Sequence, residues 1–68
     1  MVEIRDCLGR LVCKADPETG KISVIINKQK TEFYLRPGMT YLVERDFIRT
    51  TVEYSENEYF FVDSKRIT

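Results

Sequence analysis

The chain has 68 residues, which is room for one domain, and its 11 basic and 11 acidic side chains leave no formal net charge. This balance argues against a protein whose main task is to coat nucleic acid or an anionic membrane. The chain contains no histidine and no tryptophan. A domain this short buries roughly 60% of the surface that it exposes when unfolded, so a disulfide, a metal or self-association often supports it.

Short strands bounded by turn residues begin at the N-terminus. In residues 2–6 apolar and charged side chains alternate with the period of a half-buried strand. Gly9 lies in a turn that leads to a second predicted strand over residues 11–15. Residues 16–20, Asp-Pro-Glu-Thr-Gly, are the strongest turn signal in the chain and precede a third strand over residues 21–26.

The second half of the chain continues this pattern. A polar reversal, Asn27-Lys28-Gln29-Lys30, precedes a predicted strand over residues 31–35, and Pro37-Gly38 suits the centre of a type II turn. The remaining predicted segments are strands over 40–44, 48–54 and 59–62, the hairpin tip Arg45-Asp46-Phe47 and a charged tail over 63–68.

Six or seven short strands joined by tight turns predict an all-β fold. We expect a small antiparallel meander that curls into a barrel or roll, because an open sheet leaves both edges unprotected. Residues 1–68 are expected to form a single small β domain in which 63–68 are a frayed tail. The predicted core consists of Val2, Ile4, Leu11, Cys13, Ile22, Val24, Ile26, Phe33, Leu35, Leu42, Val52 and Phe60.

The two cysteines, Cys7 and Cys13, lie on either side of a predicted turn at residues 8–10. A two-residue turn places Cys13 opposite Ile4, and a three-residue loop places it opposite Glu3. Neither register brings the two sulfurs face to face, and disulfide geometry tolerates little error. We therefore expect two free thiols, which fit a reducing compartment.

No cofactor is expected. A zinc site needs about four nitrogen or sulfur ligands, and this chain offers two cysteines at C-x5-C spacing and no histidine. No acidic run has the spacing of a calcium loop. Self-association remains as a source of stability, so a homodimer is favoured.

The N-terminal residues 1–6 are charged from the third residue and do not resemble a signal peptide. The longest apolar run, residues 24–26, is far too short to span a bilayer. We expect a cytoplasmic protein that does not bind membranes.

Catalysis is not expected, and neither is a small-molecule substrate. Without histidine, general base chemistry would depend on a carboxylate, a lysine or a cysteine with a shifted pKa. Cys7 has Arg5 and Arg10 nearby in sequence, which is a weak signal for a nucleophile.

The favoured function is a non-enzymatic interaction module that binds another protein or itself. Phe47 lies at the predicted hairpin tip and is flanked by Arg45 and Arg49, and aromatic and arginine side chains are enriched at interface hot spots. The alternative for Phe47 is that it folds back with Ile48 and closes one end of the barrel. An aromatic strip formed by Tyr41, Tyr54 and Tyr59 would extend this protein-binding surface.

The second function considered is weak binding of single-stranded nucleic acid. Small β-barrels bind single strands by stacking bases on exposed aromatics inside a basic groove. The patch that would do so is formed by Tyr34, Lys28, Lys30, Arg36 and Lys21. The simpler interpretation is an ordinary solvated face, because Glu32 lies within the patch.

Overall fold

The computed structural model describes residues 1–67 and shows seven antiparallel strands in two sheets. The strands are β1 (Val2–Arg5), β2 (Leu11–Asp16), β3 (Lys21–Ile26), β4 (Gln29–Tyr34), β5 (Thr40–Arg45), β6 (Ile48–Tyr54) and β7 (Phe60–Arg66). β1 to β4 form the first sheet and β5 to β7 the second, each in chain order, so the predicted all-β meander is confirmed. Among the described residues no strand pair joins the two sheets into a closed barrel, and the curling into a barrel or roll stays a prediction. Residues 1–67 include no helix long and apolar enough to cross a membrane.

The turn between β3 and β4 is shorter than predicted. Ile26 pairs with Gln29, so only Asn27 and Lys28 lie between the strands. Both have positive φ, 52° and 65°, which is the signature of a two-residue type I′ hairpin turn. The sequence misses it because that turn usually carries Asn-Gly, and Lys28 stands where glycine is expected.

The tail predicted to fray over 63–68 continues β7 as far as Arg66. Ser64 pairs with Thr50 on β6, and their hydroxyl oxygens are 3.0 Å apart. The Ser64 hydroxyl also accepts a 2.8 Å hydrogen bond from the Cys7 N–H in the first sheet. These polar contacts order a segment whose charged composition predicted a tail. Thr68, also part of that prediction, lies outside the described residues.

The β1–β2 connection follows the two-residue register up to Ile4, which pairs with Cys13. A bulge after Ile4 then shifts the register, so that Arg5 pairs with Leu11. Both cysteines are free, with Cys13 buried and Cys7 exposed.

The core lies between the two sheets. Six of the predicted core residues are buried, namely Ile4, Cys13, Ile22, Val24, Leu35 and Val52, and Phe33 and Phe60 are partly buried against them. The core prediction is wrong for four residues that are exposed, namely Val2, Leu11, Ile26 and Leu42. Three further apolar or aromatic residues, which were not predicted, are also buried, namely Ala15, Ile48 and Tyr54.

The two ends of the structure are built differently. At the end formed by the turns 16–20 and 35–39, which we call the closed end, the Tyr54 hydroxyl donates a 2.6 Å hydrogen bond to the Pro17 carbonyl. The Leu35 N–H donates to the Gly20 carbonyl at 2.8 Å. Gly20 has a φ of 79°, and a Cβ there would lie 2.9 Å from the Tyr54 ring. The turns 6–10, 27–28 and 46–47 form the opposite end, which we call the open end.

Candidate interaction surface at the open end

A cleft of about 440 Å³ separates the two sheets at the open end. Its walls come from the start of β2 and the end of β3 on one side, and from β5 and the start of β6 on the other. Most of the lining side chains are apolar, namely Leu11, Val12, Val24, Ile25, Ile26, Tyr41, Val43 and Ile48. The polar ones are Asp6, Asn27, Glu44, Arg45 and Thr50. A concave site that combines apolar side chains with a smaller number of polar groups is the usual form of a binding site.

The β3–β4 hairpin extends the apolar surface beyond the cleft. Ile25 and Ile26, the last two residues of β3, are 67% and 63% exposed. They point to opposite faces of the sheet, because side chains alternate along a strand. Every residue from Ile25 to Glu32 is exposed, so the second sheet does not cover this hairpin.

Phe47 lies at the tip of the β5–β6 hairpin, and its side chain is exposed. It follows Asp46 in a two-residue turn between the paired residues Arg45 and Ile48. Asp46 and Phe47 have φ values of 52° and 62°, again the type I′ signature. Ile48 is buried but Phe47 is 67% exposed, so Phe47 does not fold back to close this end.

The charged side chains beside Phe47 are paired within the chain. Arg49 reaches the same Glu44 carboxylate oxygen through Nε at 3.0 Å and Nη2 at 2.9 Å. Arg45 Nε lies 3.9 Å from Asp46 Oδ2. Arg45 lies on the cleft side of β5, with the parity of buried Ile48, whereas Arg49 is on the outer face. The two arginines predicted to flank Phe47 therefore lie on opposite faces of the second sheet.

Tyr41 does not lie on the exposed surface predicted for it. It is on the inner face of β5, where its ring meets the Phe33 ring edge-on at 5.1 Å between centroids. Partial burial raises the pKa of Tyr41. Tyr54 is buried at the closed end, and Tyr59 packs against Phe61. The structure therefore does not bring the predicted aromatic strip together, and Tyr41 instead contributes to the lining of the cleft.

An ion-pair network ties the Phe47 hairpin to the first sheet. Arg10 donates from Nε to Asp6 Oδ2 at 2.9 Å and from Nη1 to Asp46 Oδ2 at 2.6 Å. The Asp6 side chain is only 4% exposed and also accepts the N–H groups of Leu8 and Arg10. Desolvation raises the pKa of Asp6, but these hydrogen bonds outweigh it and hold the pKa below its ordinary value. The sequence patterns did not predict this network, although an aspartate four residues before an arginine around a turn is a visible signal for it.

The residues of the alternative nucleic-acid patch are spread along the first sheet. Lys28 lies at the open end and Tyr34 near the closed end, about 20 Å apart at 3.3 Å per strand residue. Lys21 and Lys30 both contact Glu32 Oε2, at 2.9 and 3.4 Å. The hydrogen bond with Glu32 raises the pKa of Lys21, and the same contact lowers the pKa of Glu32. Arg36 lies beyond β4, in the turn to β5.

The two thiols differ in environment. Burial raises the pKa of Cys13 to about 11, so it is a neutral thiol at neutral pH. Cys7 is exposed. The nearby guanidinium of Arg5 donates to the Gly9 carbonyl and to Glu3. Within residues 1–67 no group of three or more His, Cys, Asp or Glu side chains is arranged to hold a metal ion.

Comparison with known proteins gives no relative: no protein-family model, no curated protein and no solved structure matches this chain.

Proposed function

We propose that this chain is a non-enzymatic interaction module that binds an apolar segment of another protein at its open end or associates with a second copy of itself. One observation carries the proposal: Phe47 exposes its ring from a left-handed backbone position. That conformation costs a non-glycine residue about 1–2 kcal/mol. Strained backbone concentrates at functional sites, where the side chain is retained despite its cost.

Other apolar surface at the open end also favours an apolar partner. Ile25 and Ile26 are exposed at this end and line its cleft, and burying such surface is favourable by about 25 cal/mol per Å² before the cost of association is subtracted. The nearby charges of Arg45 and Arg49 already contact acidic groups of the same chain. The free energy of binding is then mainly hydrophobic and depends only weakly on salt.

The proposal includes two properties carried over from the sequence. A small barrel or roll is supported by the hydrogen bonds and ring contacts that join the sheets near the closed end. A cytoplasmic location is supported by the exposed free thiol of Cys7, since free thiols persist in reducing compartments.

The test compares two glycine variants at equivalent turn positions. Phe47→Gly removes the exposed ring, and Lys28→Gly changes the matching residue of the β3–β4 turn. Peptides are selected from a random displayed library on the unmodified chain and their dissociation constants are then measured on all three proteins. We expect peptides rich in Leu, Ile and Phe, an affinity loss of about tenfold or more in Phe47→Gly, and no loss in Lys28→Gly. Equal affinity for Phe47→Gly, or failure to select any peptide, would contradict the proposal.

Weak binding of single-stranded nucleic acid is the second proposal. The exposed ring of Tyr34, on the same face as Lys21 and Lys30, favours it. Titration of a labelled oligothymidylate would then show an affinity that falls steeply with salt and is reduced in Tyr34→Ala. Absence of binding at low salt would eliminate this proposal.

A further inference from the structure

The outer edge of β4 presents free backbone hydrogen-bonding groups. Gln29 pairs with Ile26 across the two-residue turn, and at the other end of the strand the Leu35 N–H donates to the Gly20 carbonyl. Because hydrogen-bonded pairs alternate along an antiparallel ladder, the backbone groups of the odd-numbered β4 residues are the ones that bond to β3. The N–H and C=O groups of Lys30, Glu32 and Tyr34 therefore point away from β3, and no hydrogen bond to them occurs among the described residues. An edge of this kind is a template for pairing with another chain.

The other edges are less suited to pairing. β1 is interrupted by the bulge after Ile4 and faces β7 across a groove. The hydrogen bond from the Cys7 N–H to the Ser64 hydroxyl brings the turn 6–10 against β7. By the same alternation, the outward backbone groups of β5 belong to Thr40, Leu42 and Glu44. These three residues include no cation, so two copies of β5 could not form pairs of opposite charge. β4, β5 and β7 all pair with their neighbours in unbroken registers, but of these three only β4 has both a cation, Lys30, and an anion, Glu32, among its outward residues.

We propose that two copies of this chain pair antiparallel along β4, with Thr31 opposite Thr31 of the partner subunit. This register places Lys30 opposite Glu32 of the partner subunit, and Glu32 opposite Lys30 of the partner subunit. Both members of each pair carry outward backbone groups, so they form hydrogen-bonded pairs as well as charge pairs.

Of this register and the two registers shifted from it by two residues, only this one places opposite charges directly across from each other. Moving the partner by two residues places Lys30 opposite Lys30 of the partner subunit in one direction, or Glu32 opposite Glu32 of the partner subunit in the other. Like charges directly opposite one another destabilise a sheet. The dimer joins two four-stranded sheets into one of eight strands, and each Glu32 keeps its 2.9 Å contact with Lys21. This inference rests on the self-association part of the proposed function and is independent of Phe47.

The test uses opposite charge reversals, measured by sedimentation equilibrium at low ionic strength. Lys30→Glu and Glu32→Lys each place like charges opposite one another, and each raises the dimer dissociation constant by about tenfold. Mixing the two variants restores an affinity near that of the unmodified protein, because both pairs in the mixed dimer are again of opposite charge. Lys65→Glu on β7 is the matched control, since it makes the same change of charge at an exposed strand position opposite Arg49, away from the β4 edge.

Each outcome separates this inference from the wider proposal. A dimer that Lys30→Glu leaves intact, or single variants that mixing does not rescue, would overturn the β4 interface while self-association stands. An equal effect of Lys65→Glu would also overturn it, because the response would follow net charge alone. A monomer at millimolar concentration would overturn self-association and leave peptide binding at Phe47 to be judged separately. Circular dichroism of each variant confirms that it is folded.

Discussion

Arg10 and Asp46 join the two sheets at the open end through a 2.6 Å hydrogen bond from guanidinium Nη1 to carboxylate Oδ2. Arg10 belongs to the turn of the first sheet, and Asp46 precedes the exposed Phe47 in the second. The hairpin that presents the ring is thus oriented by a residue of the opposite sheet. The same guanidinium also neutralises Asp6, so one side chain serves both the fold and the candidate site.

Two substitutions separate these roles of Arg10. Asp46→Asn keeps a residue suited to positive φ and removes only the charge that reaches the tip. Arg10→Met removes that contact and also leaves the nearly inaccessible Asp6 carboxylate without its cation. We expect a clearly larger fall in Tm for Arg10→Met than for Asp46→Asn, measured by thermal denaturation. Equal falls would show that the Asp6 contact adds nothing to stability.

Glycine at the tip of the β5–β6 hairpin should stabilise the fold. Phe47→Gly relieves a left-handed conformation, and the relief exceeds the entropy that glycine adds to the unfolded chain, for a net gain of about 1 kcal/mol. For a domain of this size that gain corresponds to about 4–8 °C in Tm. Lys28→Gly should behave in the same way, which makes it the control. If Phe47→Gly instead lowers Tm, the ring contributes packing energy and its exposure is not the reason for its presence.

Gly20 should be the least replaceable glycine. An added methyl group meets the Leu35 carbonyl and lies 2.9 Å from the Tyr54 ring, in addition to the strain of a φ of 79°. Gly9 and Gly38 also have positive φ, but a Cβ at either would meet open space. We expect alanine to cost about 1 kcal/mol at Gly9 or Gly38 and about 2–4 kcal/mol at Gly20, where overpacking is added to strain. Urea denaturation of the three variants measures the order.

Acid should destabilise the protein through Asp6. Its pKa in the folded state lies below the ordinary value of 3.8, so its contribution is complete above that value and is lost as pH falls through the lowered pKa. Stability measured between neutral pH and about pH 2 should therefore decline at the acid end. Asp6→Asn lowers stability at neutral pH and flattens that decline. An unchanged acid limb in Asp6→Asn would assign the decline to other carboxyl groups, with Glu32 as the next candidate because its pKa is also lowered.

Local patterns predicted the strands well where alternation and turn residues agreed. Both bounds of β3 and β6 match the prediction, since clear turn signals flank alternating residues there. The start of β4 was missed because Asn27-Lys28 lacks the glycine typical of its turn. The continuation of β7 was missed because Ser64 is ordered by contacts with Thr50 and Cys7, which are distant in sequence.

Burial was harder to predict than strand direction. A period of two residues shows which side chains share a face, but not how far the opposite sheet extends over that face. Ile26 and Leu11 share the inner faces of their strands and are nevertheless exposed, because the sheets diverge at the open end. Phe47 was placed correctly at a hairpin tip, whereas Tyr41 was placed on the wrong side, since its inward direction depends on packing against Phe33.

The two ends of the structure join the sheets through contacts that respond differently to salt. The chain crosses between the sheets at the closed end, where the hydrogen bond from the Tyr54 hydroxyl to the Pro17 carbonyl and the edge-on contact between the Phe33 and Tyr41 rings hold them. At the open end the sheets are linked by two hydrogen bonds, from the Arg10 guanidinium to the Asp46 carboxylate and from the Cys7 N–H to the Ser64 hydroxyl. Exposed ion pairs weaken with salt, whereas apolar packing does not. Rising ionic strength should therefore weaken the Arg10–Asp46 link at the open end, while the neutral hydrogen bond and the ring contact at the closed end are unaffected.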